Sequence, residues 1–147
     1  MSSYIIDANL IFSSLLNLGS GIAQFILNHD EFDVMLFAPE RLKFEIENHH
    51  DKIVKISRLS TEEVKYARDK LYSCINFIDD QIIPFEEYVK AMRIIRDVDP
   101  ADVHFVALAN YMDEKLWTGD VKLYEGLKSK GYEKVINFSE LKIIFSL

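Results

Sequence analysis

Four short acidic stretches hold the side chains of this sequence that are best suited to chemistry. Their carboxylates are Asp7, Glu45, Asp102 (with Asp99 three residues before it) and Asp120. If the fold gathers them, unit charges ~4 Å apart repel by about 4 kcal/mol per pair at an effective dielectric of 20. Raised pKa values relieve part of that repulsion, and a bound divalent cation relieves more. All the ligand atoms are oxygens, and no His or Cys stands beside the acids at metal-ligand spacing, so the set predicts one or two Mg²⁺ or Mn²⁺ ions rather than Zn²⁺.

Each acid also has an ordinary structural interpretation. Asp7 could cap a helix at the end of a strand, and Glu45 could be a solvated helix residue. Asp102 and Asp120 could be a helix cap and a turn residue. Their joint arrangement favours the metal site. A metal held by carboxylates can position and deprotonate a water for attack on phosphorus and stabilise the charge on the leaving oxygen, so no nucleophilic side chain is required.

Short apolar segments are predicted to form the strands that position these acids. The segments are residues 4–6, 34–38, a stretch near 81–83, 115–118 and 135–138. Because they alternate with helical patterns, they indicate a three-layer α/β/α fold around a central, mostly parallel sheet of four or five strands. Ligands bind such sheets outside the carboxyl ends of the strands, near the point where strand order reverses. Asp7 and Asp120 follow two of these strands, and Glu45 and Asp102 lie on neighbouring helices, so all four can converge on one cleft.

Capping patterns give the helix boundaries. The S-x-x-E pattern that begins at Ser60 is a capping box, and the helical period after it continues to Ile78. A second helix of the same pair runs to Ile95. Gly131 is predicted to end a later helix, and Ser139 to cap the last one.

Two further boundaries concern the acids directly. Pro39 is predicted to open the helix that carries Glu45. Asp99 is predicted to be the N-cap of another helix, with Pro100 and Asp102 at its first and third positions.

The composition fits a single compact domain of residues 1–147, with 49% hydrophobic and 28% charged residues. Cys74 is the only cysteine, which excludes an intrachain disulfide and fits a reducing, cytoplasmic setting. The sequence shows neither an export signal nor an apolar run of the ~20 residues that a membrane span needs. The net charge of −7 argues mildly against a general nucleic-acid binder, although an acidic protein can still carry a local basic groove.

The order of these motifs resembles that of the PIN-domain nucleases. The matching segments are Ile6-Asp7-Ala8-Asn9, Phe44-Glu45-Ile46, Asp99-Pro100-Ala101-Asp102 with Phe105-Val106-Ala107-Leu108-Ala109, and Trp117-Thr118-Gly119-Asp120. They extend over almost the whole chain, whose length is similar to that of the single-domain bacterial and archaeal members, including the VapC-type toxins of toxin–antitoxin pairs. The resemblance implies a PIN-like fold and a metal-dependent ribonuclease in which a metal-bound water attacks an RNA phosphodiester.

The resemblance also implies residue roles. The metal ligands would be Asp7, Glu45, Asp102 and Asp120. Asp99 is a further candidate ligand that could be only a helix cap, while Asn9 and Thr118 would orient the carboxylates or the water. Three basic residues near the ligands in sequence are weaker candidates for phosphate contacts, since surface Lys and Arg are usually just solvated: Arg41, Lys43 and Lys122.

The partners implied are an RNA substrate, an antitoxin protein and a second copy of the chain in a homodimer. The apolar and aromatic helix pair from Ser60 to Ile95 is the candidate surface for the dimer or the antitoxin, although core packing explains the same residues. The sequence leaves open whether the protein is a toxin or a housekeeping RNA-processing enzyme.

Two other functions were weighed against a nuclease. A non-catalytic PIN-like module that binds RNA or protein is disfavoured by the complete acidic set. A phosphotransfer enzyme with Asp7 as nucleophile is disfavoured because Asn9 stands where a haloacid-dehalogenase-type motif has its second Asp, and no Lys-bearing strand follows. Trp117 is expected in the core, and no chemistry is assigned to the histidines, which are His29, His49, His50 and His104.

Overall fold

Five parallel strands form the central sheet in a computed structural model that describes residues 1–147. The strands are β1 (Ser2–Ile6), β2 (Val34–Pro39), β3 (Ile75–Ile78), β4 (Lys115–Trp117) and β5 (Val135–Ile136). Their order across the sheet is β3-β2-β1-β4-β5, and every neighbouring pair is parallel. The predicted α/β class with a parallel sheet is therefore confirmed.

Nine α-helices connect and cover the strands. They are α1 (Ala8–Leu16), α2 (Gly21–Leu27), α3 (Arg41–Asn48), α4 (His50–Ser57), α5 (Thr61–Tyr72), α6 (Phe85–Ile95), α7 (Val103–Met112), α8 (Val121–Ser129) and α9 (Phe138–Ile144). Three short 3-10 turns lie between them, at His29–Phe32, Asp80–Ile82 and Pro100–Asp102. No single helix is long and apolar enough to span a membrane; α1 and α2 meet that test only as a pair, bent by 111°.

Both faces of the sheet are covered, which gives the three layers expected from the sequence. The neighbouring residues Ile5 and Ile6 are both fully buried, and so are Leu116 and Trp117. Because successive side chains of a strand point to opposite faces, helices must cover each side. On one face α7 packs against β1, β2 and β4, with α6 against α7. Trp117 contacts an aromatic ring from α2 and another from α9, as its predicted core position requires.

The strand order reverses between β1 and β4, which lie side by side. Ile6 pairs with Trp117, and the Asp7 N–H donates to the Trp117 carbonyl at 3.0 Å. Just beyond these strands α1 begins at Ala8 and α8 at Val121. Ligands of parallel sheets bind at such a reversal point, so the fold presents the end of β1 and the end of β4 to the same crevice.

The prediction for the third strand was wrong. β3 is Ile75–Ile78, which the helical period assigns to the helix after Ser60, whereas the segment near 81–83 is mostly the 3-10 turn Asp80–Ile82. The apolar spacing of this stretch suits a helix, but its backbone pairs with β2. The Asn76 side chain also donates to the Leu36 carbonyl at 3.1 Å. Pairing with a strand 40 residues away therefore overrides the local period.

Two helix starts also differ from the prediction. Pro39 does not open a helix: it is the buried last residue of β2, two residues beyond the last residue that pairs with β1, and α3 begins two residues later. Asn137, not Ser139, caps α9, because its side chain accepts from the Glu140 N–H at 2.9 Å while the Glu140 carboxylate accepts from the Asn137 N–H. That cap also ends the last strand two residues earlier than predicted, since β5 stops at Ile136.

Other caps agree with the sequence. The Ser60 hydroxyl accepts from the Glu63 N–H at 3.1 Å, and the Glu63 carboxylate accepts from the Ser60 N–H, which completes the predicted capping box of α5. Gly131 follows α8 with φ +77°, a conformation that favours glycine at a helix end.

Candidate metal centre

Asp7 lies at the end of β1 and is only 4% exposed. Its Oδ2 atom accepts a hydrogen bond from the Thr118 hydroxyl at 2.7 Å. The same hydroxyl oxygen accepts from the Asp120 N–H at 3.0 Å, and Thr118 is fully buried. Thr118 therefore fixes the carboxylate after β1 and the backbone of the acid after β4 with one side chain.

Asn9 supports the turn after β4 rather than a carboxylate. Its Oδ1 atom accepts from the Gly119 N–H at 3.2 Å. A Cβ on Gly119 would lie 3.1 Å from the Leu10 Cδ2 atom, so the turn packs closely against α1. Asp120 follows this turn and caps α8, its Oδ1 atom accepting from the Leu123 N–H at 3.1 Å.

Asp99 and Asp102 stand at the two ends of the 3-10 turn that precedes α7. Asp99 caps the turn as predicted, with Oδ1 accepting from the Ala101 N–H at 3.0 Å. Asp102 is the last residue of that turn rather than the third residue of an α-helix, which begins at Val103. One oxygen from each of Asp99, Asp102 and Asp120 lies within 4.8 Å of the other two.

These acids face one cavity of about 250 Å³. It is lined by Asp7, Ala8, Asn9, Phe12, Glu45, Ile46, His49, Lys52, Asp99, Asp102 and Asp120. Glu45 reaches it from α3, with its Oε1 atom 3.8 Å from the Arg41 Nε atom. The structure therefore brings together five carboxylates that are up to 113 residues apart, from Asp7 to Asp120.

Burial and mutual repulsion disfavour the ionised forms of three of these carboxyls. Burial raises the pKa of Asp7 to about 6, against the Thr118 hydrogen bond that lowers it. Burial and the Asp7 charge raise the pKa of Glu45 to about 7, although the Arg41 guanidinium opposes the shift. Burial and the surrounding acids raise the pKa of Asp102 to about 8.

This donor set fits a hard divalent cation. The cavity offers five carboxylates, whose oxygens Mg²⁺ and Mn²⁺ prefer; its other side chains with potential metal-ligand atoms are Asn9 and His49, and no Cys lines it. Asp99 and Asp120 each use one oxygen for a cap, so the second oxygen remains available to a ligand. A cation among these acids would favour the ionised carboxylates and remove the repulsion between them.

None of the basic residues singled out in the sequence lines the cavity. Arg41 pairs with Glu45 and lies over the Phe44 ring, 4.5 Å from its centroid. Lys43 pairs with Glu40 at 3.4 Å and lies over another ring, and Lys122 is an exposed residue of α8.

The sequence reasoning missed three other residues that line the cavity: Phe12, His49 and Lys52. One signal was present, because Glu45, His49 and Lys52 recur at intervals of four and three residues, the spacing of one helix face. That spacing continues across the junction of α3 and α4.

Comparisons with known proteins point to one family. The sequence model of the PIN-domain family matches residues 5–139. The crystal structure of PAE2754 from Pyrobaculum aerophilum aligns over 99% of this chain and 90% of its own, with a TM-score of 0.70 and 16% identity. The crystal structure of VapBC2 from Rickettsia felis, bound to a DNA fragment from their promoter, aligns over 92% of this chain and 96% of its own, with a TM-score of 0.61 and 14% identity. No curated protein sequence matches the chain.

Proposed function

The chain belongs to the PIN-domain family, and on that premise we propose that it is a metal-dependent endoribonuclease that hydrolyses RNA phosphodiester bonds. PIN domains are generally nucleases and typically bind divalent metals. The observation that carries the proposal is the acidic cluster at the strand reversal point, where oxygens of Asp99, Asp102 and Asp120 lie within 4.8 Å of one another. Asp7 and Glu45 line the same cavity.

In this proposal Asp7, Glu45, Asp102 and Asp120 are the metal ligands, and the free oxygen of Asp99 is a fifth. One or two Mg²⁺ or Mn²⁺ ions held there would supply a water of lowered pKa and a positive charge beside the leaving oxygen. Hydrolysis forms a P–O bond from that water and breaks one P–O ester bond, and a proton of the water replaces the ester on the leaving oxygen.

The other residues of the site hold the ligands in place. The Thr118 hydroxyl keeps the Asp7 carboxylate and the Asp120 backbone in fixed positions. Asn9 acts one step further away, through the Gly119 N–H. Groups that orient metal ligands in this way typically change metal affinity or activity by 10- to 100-fold when they are removed.

The biological role that we propose is that of the toxin in a toxin–antitoxin pair. The support for this role is the likeness to the VapBC2 structure, in an alignment that covers 96% of that chain. On this proposal the protein acts in the cytoplasm as a homodimer, and its partners are RNA and an antitoxin protein.

The deciding experiment is an RNA cleavage assay with purified protein. We expect cleavage of single-stranded RNA with Mg²⁺ or Mn²⁺, no cleavage in EDTA, and none with Asp7→Asn or Asp120→Asn at unchanged folding. Glu125→Gln is the matched control, because Glu125 is exposed on α8 and makes no ion pair or side-chain hydrogen bond. Wild-type rates in Asp7→Asn would show that the site is wrongly assigned. RNA binding without cleavage under any metal would instead identify a non-catalytic binding module.

The toxin role needs a separate test. Induced expression of the wild-type protein should arrest bacterial growth, and Asp7→Asn should not. Co-expression of a small protein encoded next to the gene should restore growth. If cells that express the wild-type protein grow fully although their extract shows its RNA cleavage, housekeeping RNA processing is favoured.

A further inference from the structure

Part of the wall of the acidic cavity is an aromatic ring with two basic side chains beside it. Phe12 belongs to α1, His49 follows the end of α3, and Lys52 lies in the first turn of α4. The Phe12 and His49 rings are 5.7 Å apart and nearly perpendicular, at 75°. The Lys52 Nζ atom lies 5.6 Å from the centroid of the Phe12 ring. These three side chains, from two helices and the junction of α3 with α4, therefore form one group, which we call the Phe12–Lys52 edge.

Lys52 is the only Lys or Arg that lines the cavity. Five carboxylates share that cavity, yet Lys52 makes no ion pair with any of them, and its nearest described partner is the Phe12 ring. Arg41, one turn before Glu45 on α3, is already paired with that acid. The Lys52 ammonium is therefore the cation of the site that is free to contact an incoming anion.

The charge balance of the protein makes that cation relevant to a nucleic acid. The chain carries a net charge of −7, and five of its acids line the cavity that a polyanion must approach. Metal ions held by the carboxylates would compensate the acids only at the scissile phosphate. A neighbouring phosphate needs its own cation, and contacts from Lys to phosphate oxygens are the usual means of fixing the register of a nucleic acid.

The size of the cavity indicates where a base would lie. Its volume of about 250 Å³ is below the ~300–1,000 Å³ of pockets that enclose drug-sized ligands. It has room for ions and a phosphate group, so the base must lie at the rim. Phe12 is a partly exposed ring at that rim, and stacking of a base on such a ring contributes ~1–3 kcal/mol and tolerates any base.

We propose that the Phe12–Lys52 edge is a substrate subsite, in which Lys52 binds the phosphate next to the scissile one and Phe12 stacks on the unpaired base of that nucleotide. This inference rests on the proposed nuclease function and deepens it. It makes the substrate single-stranded at that nucleotide, because a paired base cannot stack on the ring. It also gives the substrate a direction, from the carboxylates towards the junction of α1 and α4.

Steady-state cleavage of a short single-stranded RNA tests the Lys52 contact. Lys52→Gln should raise KM by roughly 3- to 10-fold with kcat within about twofold of wild type, because a rim contact binds substrate and transition state alike. The negative slope of log(kcat/KM) against log[salt] should become shallower by about 0.7, the value for one phosphate contact on a single strand. Lys55→Gln is the matched control, since Lys55 is an exposed residue of the same helix that lies outside the cavity. If Lys52→Gln and Lys55→Gln have the same KM and salt slope, Lys52 does not contact the substrate.

Abasic substrates test the Phe12 contact. Phe12→Leu should raise the KM for intact RNA by ~5- to 150-fold, which corresponds to the loss of binding free energy from one stacked base. A series of RNAs, each with one abasic nucleotide at a different position, locates the stacked base. At one position only, wild type and Phe12→Leu should have the same KM. Phe12→Tyr keeps the ring and should bind RNA as the wild type does, and Phe85→Leu is the control at a 79% exposed ring. A packing defect would weaken the binding of every RNA alike, so loss of the difference at one abasic position separates stacking from a packing defect. If no abasic position removes the difference, the ring does not stack on a base.

Binding measurements separate this inference from the proposed function. Fluorescence anisotropy of a labelled single-stranded RNA with Mg²⁺ reports affinity whether or not cleavage occurs. If the wild type binds but does not cleave, and both variants bind more weakly, the subsite stands and the nuclease proposal fails. If the wild type cleaves and neither variant changes KM or affinity, the subsite alone is refuted. If the wild type neither binds nor cleaves RNA, both proposals fail.

Discussion

Asp102→Asn should change how the stability of the metal-free protein depends on pH. Burial and the neighbouring Asp7, Asp99, Glu45 and Asp120 charges raise the pKa of Asp102 to about 8 from an ordinary 3.8. A carboxyl with a raised pKa holds its proton more tightly in the folded state than in the unfolded state. Its stabilising contribution is therefore complete below about pH 4 and is lost as the pH rises to about 8. The variant lacks this titration, so the two proteins should diverge as the pH rises.

The size of the divergence follows from linkage. One group that keeps its proton only when folded reduces the free energy of unfolding by about 1.4 kcal/mol per pH unit. Asp102 is partly exposed and shares its repulsion with other acids, so screening by water lowers its folded-state pKa and confines this slope to roughly one of the two units between pH 6 and pH 8. From pH 6 to pH 8 the loss is about 1.4 kcal/mol. A domain of this length shifts its Tm by ~2–4 °C per kcal/mol, so the Tm of Asp102→Asn minus that of wild type should rise by about 3–6 °C.

Thermal unfolding followed by circular dichroism between pH 5 and pH 9, in EDTA, measures this difference. Glu125→Gln is the control for removing one acid from an acidic protein, and its curve should run parallel to that of the wild type. Adding Mg²⁺ or Mn²⁺ should raise the wild-type Tm most at high pH, where the carboxylates are ionised, and should raise that of Asp102→Asn less. Parallel curves for wild type and Asp102→Asn in EDTA would refute the charge crowding on which the metal site is argued.

Three other substitutions test a hydrogen bond of the site, the packing of α8 and the capping of α5. Thr118→Val should reduce the free energy of unfolding by about 1–3 kcal/mol and raise the pKa of Asp7 further, because it removes a buried donor. It should also weaken Mn²⁺ binding, because Thr118 orients a proposed ligand. Urea unfolding with and without Mn²⁺ measures both effects, and equal Mn²⁺ affinity would contradict the second. Gly126→Ala should cost about 1–3 kcal/mol, because the new Cβ would lie 2.7 Å from Val98 Cγ1; Val98→Ala should restore much of the loss in the double variant. Ser60→Ala should cost about 1 kcal/mol by removing the capping box of α5 while RNA cleavage rates stay unchanged.

The sequence predicted the fold class because alternating strand and helix patterns are local signals. It failed at β3, where the spacing of apolar residues fits a helix and only the pairing with β2 decides the structure. It could not give the strand order either. That order depends on β1 lying between β2 and β4, whose residues are distant in the chain.

The acids of the candidate site were predictable because four of them stand at a strand end or a helix start, and the fifth, Glu45, lies on the helix that follows β2. The remainder of the cavity wall was not, since it forms where α1 meets α3 and α4. The Asn9 hydrogen bond to Gly119 joins residues 110 apart, and no local pattern contains it. The pair of Arg41 with Glu45 is different, because its spacing of four residues on a helix is visible in the sequence.

The structural and catalytic interpretations of the acids are not alternatives in this fold. Asp120 accepts the Leu123 N–H with one oxygen, and Asp99 accepts the Ala101 N–H with one oxygen, so each cap leaves a second oxygen for the cavity. An amide keeps the capping oxygen but removes the charge, whereas a methyl group removes both. Asp120→Asn should therefore abolish RNA cleavage with little change in stability, and Asp120→Ala should abolish cleavage and also cost about 1 kcal/mol. Equal stability losses in the two variants, measured by urea unfolding in EDTA, would mean that the charge of Asp120, rather than its cap, supports the metal-free fold.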